Sequence, residues 1–133
     1  MTGALDARLQ RRVQRYGWER AAEAYARHWH ALLAGVQGEL LAMAAPAAGE
    51  AVLDVACGAG AVAVAAAAAV GPAGRVLGVD LADAMVLAAG RRARELGFAH
   101  ARFERMDAER LALSDAAFDD RAGECFGILR RDQ

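Results

Sequence analysis

The stretch "VLDVACGAGAVAVA", Val52 to Ala65, constrains the fold more than any other part of the chain. It opens as an apolar strand, breaks on Gly58 and Gly60, and continues as almost pure alanine and valine. A strand that feeds a tight glycine turn and then a helix is half of a βαβ unit. Glycine at such a turn lets the backbone bend sharply and lets a ligand approach it closely. Asp54 interrupts the strand near its carboxyl end, and a semi-buried carboxylate needs a compensating partner.

Length alone would permit a membrane helix from Val55 to Gly71. That run is mostly alanine and glycine, has no Leu, Ile or Phe, and has no aromatic or basic anchors at its ends. No membrane span is expected. The N-terminus "MTGALDARLQRRVQRYGWER" is charged throughout and carries no apolar signal core, so a cytoplasmic location is expected.

The alternation continues downstream. "AVLDVA" (51–56) reads as the first strand, Ala61 to Val70 as a helix closed by "GPAG", and "RVLGVD" (75–80) as the second strand. "ADAMVLAAGRRAREL" reads as a second helix, with Asp83 in its first turn, basic residues toward its end and Gly97 as its stop. "ARFERM" (101–106) reads as a third strand, and "AFD" (117–119) opens a fourth. Strands and helices in this order imply a parallel α/β sheet covered by helices on both faces. The first fifty residues are helical instead. Trp18, Ala22, Tyr25, Trp29 and Leu32 step along one face of an amphipathic helix, and a further stretch through Val36, Leu40, Leu41 and Met43 ends at Pro46. The expected organisation is an N-terminal helical cap over 1–49 and a Rossmann-like domain over 50–133.

At 133 residues there is room for one domain. The 16 basic residues, all arginine, nearly balance 17 acidic ones, which gives no electrostatic case for a nucleic-acid partner. The two cysteines, Cys57 and Cys125, sit in no metal-ligand spacing. His28 and His30, two apart on a helix, face different ways and do not share a metal.

In an open parallel sheet a ligand lies beyond the carboxyl ends of the strands. The glycine turn, Asp80 at the end of the second strand and Asp107 after the third all fall there. Asp80 can accept hydrogen bonds from both hydroxyls of a ribose, each worth roughly 1.5–3 kcal/mol. Asp107 can accept from an adenine amino group. Each feature alone is equally a turn glycine or a helix cap; their joint spacing points to a nucleoside-type cofactor. Residues 58–63 also satisfy the G-x-G-x-x-A of nicotinamide-binding folds, so an NAD(P)-dependent oxidoreductase is the alternative. The fifty helical residues before the first strand, and Asp54 within it, favour a cofactor carrying a cationic group.

"VLDVACGAGAVA", "GRVLGVDLADAMVLAAGRRARELG", "RFERMDAERLAL" and "AFD" together resemble the class I S-adenosylmethionine-dependent methyltransferases, most of all the quinone-biosynthesis and related small-molecule enzymes. "WERAAEAYARHW" is similar to the helical lid that precedes the fold there. The resemblance implies that Asp54, Gly58 and Gly60 hold the methionine end of the cofactor, with Ala56 and Cys57 among the cofactor-binding residues. It implies that Asp80 takes the ribose, that Leu81 and Met85 lie near the adenine, and that Asp107 and Ala108 border it. Tyr25 and Trp29 would help close the site, or simply pack. The implied reaction is in-line methyl transfer to a small-molecule acceptor, with no obligatory acid or base. Cys57 reads as a small turn residue rather than a nucleophile.

The resemblance also implies a seven-stranded sheet, of which this chain has material for four, in the order 3-2-1-4. In "FDDRAGECFGILRRDQ", Asp120, Arg121 and Glu124 stand where a buried strand should be apolar, and Phe126 to Leu129 resemble a later segment. The expectation is an incomplete fold, a non-catalytic remnant being a further alternative. Its last strand would be a bare edge prone to self-association.

Overall fold

The computed structural model describes residues 6–28, 30–110 and 128–131. Two helices, α1 (Ala7–His28) and α2 (His30–Ala44), precede β1 (Ala51–Val55), α3 (Ala61–Val70), β2 (Arg75–Asp80), α4 (Asp83–Glu95), β3 (Ala101–Arg105) and β4 (Ile128–Arg131). The sheet order is β3-β2-β1-β4. β1, β2 and β3 are parallel, with Val52 beside Val76 and Gly78 beside Phe103.

β1 and β2 are central, and their apolar runs are buried as central parallel strands require. Val52 and Val76 point to the face that carries α3, within a cluster that includes Val62, Ala63, Ala66, Ala67 and Val70. Leu53 and Val79 point the other way by alternation and are just as buried, so both faces of this pair are covered. β3 lies at one edge, and its Arg102, Glu104 and Arg105 are exposed. The alanines of α3 let it lie close to the sheet, while α2 packs on α3 and α1 on α4.

α4 ends as Gly97 predicts. Gly97 has φ 76°, its N–H donates to Arg94 O at 3.0 Å, and the N–H of Phe98 donates to Ala93 O at 2.9 Å. This is the paired bonding of a Schellman cap, which favours a residue that enters the left-handed region freely.

One expectation is corrected. The strand beside β1 is Ile128–Arg131, and it runs antiparallel, pairing Leu53 with Leu129. The sheet is therefore parallel over three strands and mixed at the fourth; Ala117 to Asp119 lie outside the described residues. Of the expected stripe from Trp18 to Leu32, the side chains of Tyr25, Trp29 and Leu32 lie outside the described residues. Ala22 is buried, yet Trp18 on the same supposed stripe is 45% exposed. Among the described residues, no helix is long and apolar enough to cross a membrane.

Candidate functional site

The turn after β1 is built from backbone conformations that favour glycine. Ala56 (φ 58°), Gly58 (φ 55°) and Gly60 (φ 89°) all lie in the left-handed region. Gly60 has a second reason: a Cβ there would sit 2.8 Å from Ala89 Cβ and 3.1 Å from Ala89 Cα, so the close approach of α4 requires its absence. Around Gly58 there is open space.

Asp80, at the end of β2, fastens this turn. Its Oδ2 accepts the N–H of Gly58 at 2.9 Å and its Oδ1 accepts the N–H of Ala82 at 3.0 Å. A carboxylate offers about four lone-pair sites, so one remains on each oxygen. The third strand joins in through Met106, whose N–H donates to Asp80 O at 3.0 Å. Asp107 follows, and its Oδ1 accepts the N–H of Glu109 at 3.0 Å.

These strand ends open into a cavity of about 380 Å³, a size ordinary for small ligands. Ala56, Gly58, Asp80, Leu81, Met85, Asp107 and Ala108 line it, all candidates from the sequence. The other three candidates stand behind the wall. Cys57 is buried, Gly60 packs on Ala89, and Asp54 is 2% exposed in the middle of the sheet. Of the lid residues, Tyr25 belongs to α1, but its side chain and the whole of Trp29 lie outside the described residues.

The lid contribution comes from elsewhere on α1. Arg11, Gln14 and Trp18 form one wall of the cavity, and Met106 and Glu109 complete it. The spacing 11, 14, 18 is one helix face, a pattern visible in the sequence. What it faces depends on tertiary packing. Arg11 lies 2.9 Å from Glu109 Oε2 and 3.5 Å from Asp107 Oδ2. Glu19 accepts the N–H of Asp83 through Oε1 and that of Ala84 through Oε2, the latter at 3.1 Å. A side chain of α1 thus caps the N-terminus of α4.

Burial, and secondarily the charge of Asp80, push the Asp54 carboxyl from its ordinary 3.8 up to about 7, against a smaller opposing effect of the Ala63 N–H. Its Oδ2 is buried with no hydrogen-bond partner. Burial, then Asp54 and Asp80, push the Cys57 thiol far up, so it is not a thiolate nucleophile.

The residues present fit an adenosine-bearing cation. Asp80 keeps acceptor capacity at the mouth of the turn. Leu81, Met85, Met106 and Trp18 give apolar walls for a planar base, and the orphaned Asp54 oxygen favours positive charge nearby.

A family model described as a methyltransferase domain matches residues 52–126. Among solved structures, the fold is similar to that of a SAM-dependent methyltransferase from Aquifex aeolicus, with 26% identity and a TM-score of 0.52 over 58% of this chain and 41% of that one. It is similar to the YcgJ protein from Bacillus subtilis, with 33% identity and a TM-score of 0.51 over 58% and 32%. Phosphoethanolamine N-methyltransferase 1 from Haemonchus contortus, in complex with phosphoethanolamine and S-adenosylhomocysteine, shares the fold alone at 16% identity, with a TM-score of 0.67 over 85% and 25%. The chain spans less than half the length of each. No curated protein matches it.

Proposed function

The chain belongs to the methyltransferase domain family, whose cofactor is S-adenosylmethionine, and from that premise we propose that it binds this cofactor in the cavity at the ends of β1, β2 and β3 and methylates a small-molecule acceptor. The observation that carries the reading is the position of Asp80. It closes the glycine turn through Gly58 and still presents acceptor capacity to a cavity with apolar walls.

When bound, S-adenosylmethionine supplies a methyl group already activated on a sulfonium. The chain's own residues then have to bind, orient and exclude water. Asp80 would hold the ribose hydroxyls. Leu81 and Met85 would hold the adenine from one side, and Trp18 from α1 would help cover it, with Asp107 and Ala108 at its edge. Asp54 would favour the cationic end from behind the turn. With the methyl group already activated, the chain's contribution would be proximity and desolvation, with no obligatory proton acceptor.

Calorimetric titration with S-adenosylhomocysteine, S-adenosylmethionine and NADPH tests the reading. Binding of the first two and not the third is expected. Binding of NADPH alone would replace the reading with the oxidoreductase alternative.

A further inference from the structure

A second groove, of about 470 Å³, adjoins the cofactor cavity and shares Arg11, Leu81, Met106 and Asp107 with it. Arg11, Arg12 and Arg15 enter it from α1, Arg105 from the end of β3 and Arg110 from the turn beyond. Among the described residues, the carboxylates that pair with these arginines are already engaged. Arg11 pairs with Asp107 and Glu109, while Arg15 and Arg105 share Asp83 Oδ2 at 3.4 and 3.3 Å. Five guanidinium groups therefore face three carboxylates among the described residues, an excess of two positive charges, in a chain whose formal net charge is −1. Among the described residues no carboxylate pairs with the Arg12 or Arg110 side chain.

Guanidinium forks gathered from three elements repel one another unless an anion sits among them, and they match the geometry of phosphate and carboxylate oxygens. We infer that this groove binds a small anion through its phosphate or carboxylate group, beside the adenine end of the cofactor cavity. The anion site stands on the arginines and is separate from the methyl-transfer reading of the neighbouring cavity. An extended polyanion suits the groove less well, because Asp83, Asp107 and Glu109 interrupt the positive surface.

The test titrates the full chain with inorganic pyrophosphate and with citrate, as phosphate and carboxylate probes, in the presence and absence of S-adenosylhomocysteine. The variant is Arg12→Gln combined with Arg110→Gln, neither of which lines the cofactor cavity. At least one probe is expected to bind, with its dissociation constant raised about tenfold or more in the variant, as loss of charge-assisted contacts predicts. Affinity for S-adenosylhomocysteine should stay within about twofold. Failure of both probes on a chain that binds S-adenosylhomocysteine overturns the groove alone, as does probe affinity unchanged in the variant. Failure of S-adenosylhomocysteine to bind overturns the methyl-transfer reading and leaves the groove standing. A single-stranded oligonucleotide that binds far more tightly than pyrophosphate, and is lost in the variant, overturns the small anion in favour of nucleic acid.

Discussion

The backbone N–H of Gly58 donates to Oδ2 of Asp80 at 2.9 Å, across 22 positions of sequence. This bond joins the turn after β1 to the carboxyl end of β2, the two places where a parallel sheet gathers its ligand contacts. Asp80 is therefore a structural tie as well as a candidate ligand. The two roles respond differently to substitution.

Asp80→Ala removes the acceptor for both Gly58 and Ala82. It should lower stability by about 1–3 kcal/mol, the cost of leaving part-buried donors without partners. It should also weaken S-adenosylhomocysteine binding by roughly 1.5–3 kcal/mol. Asp80→Asn keeps one acceptor oxygen and should recover part of the stability. Urea denaturation and calorimetry read the two effects separately. An unchanged affinity in a folded Asp80→Ala sample would remove the ribose role.

The two turn glycines should separate in the same way. Gly60→Ala forces a Cβ against the Ala89 backbone and also strains a φ of 89°, so a loss of about 2–4 kcal/mol is expected. Gly58→Ala meets open space and carries only the cost of its positive φ, about 1 kcal/mol. Thermal unfolding of both variants should rank them in that order. Equal losses would mean that the approach of α4 is not what fixes Gly60.

β1, α3, β2 and α4 are legible in the sequence because each is bounded by glycine or a turn and carries one unambiguous pattern. Asp80 and Asp107 are legible for a related reason: parallel strands bring their carboxyl ends to one edge. Arg11 and Trp18 are not. Arg11 meets Glu109 across 98 positions, and only the docking of α1 on α4 brings it there. The Trp18-to-Leu32 spacing fits one helix face, yet Trp18 is 45% exposed and lines the cavity, which periodicity does not register. β4 is four residues, "ILRR", with no alternating pattern to announce a strand, and pairing with β1 makes it one.

Glu19 supplies a test of how α1 is held over the site. Its carboxylate caps the N–H groups of Asp83 and Ala84, replacing the local side-chain cap that α4 lacks. Glu19→Ala should cost about 0.5–2 kcal/mol, the usual worth of an N-cap with its dipole contribution. Amide exchange should speed up selectively at Asp83 and Ala84. Affinity for S-adenosylhomocysteine should fall as α1 carries Trp18 away from the cavity. Faster exchange with no loss of affinity would show that the α1 wall contributes nothing to binding.

Asp54 makes both stability and binding depend on pH. Its carboxyl has an ordinary value of 3.8 and rises to about 7 in the fold, through burial first and the charge of Asp80 second. Between those values the folded chain holds a proton that the unfolded chain has released. Stability from this group is therefore complete below about pH 4, declines as pH rises, and levels off above about pH 7. The total is on the order of a few kcal/mol at most. Asp54→Asn should flatten this slope in urea titrations across the range. Cofactor binding adds the opposite pull, because a cationic group brought near Asp54 favours its ionised form. Binding near neutral pH should then release a proton, and affinity should rise with pH through about 7. In calorimetry the heat of wild-type binding should vary with the ionisation enthalpy of the buffer, while that of Asp54→Asn should not. Buffer-independent heat in the wild type, with a stability slope equal to the variant's, would show that Asp54 does not titrate in this window.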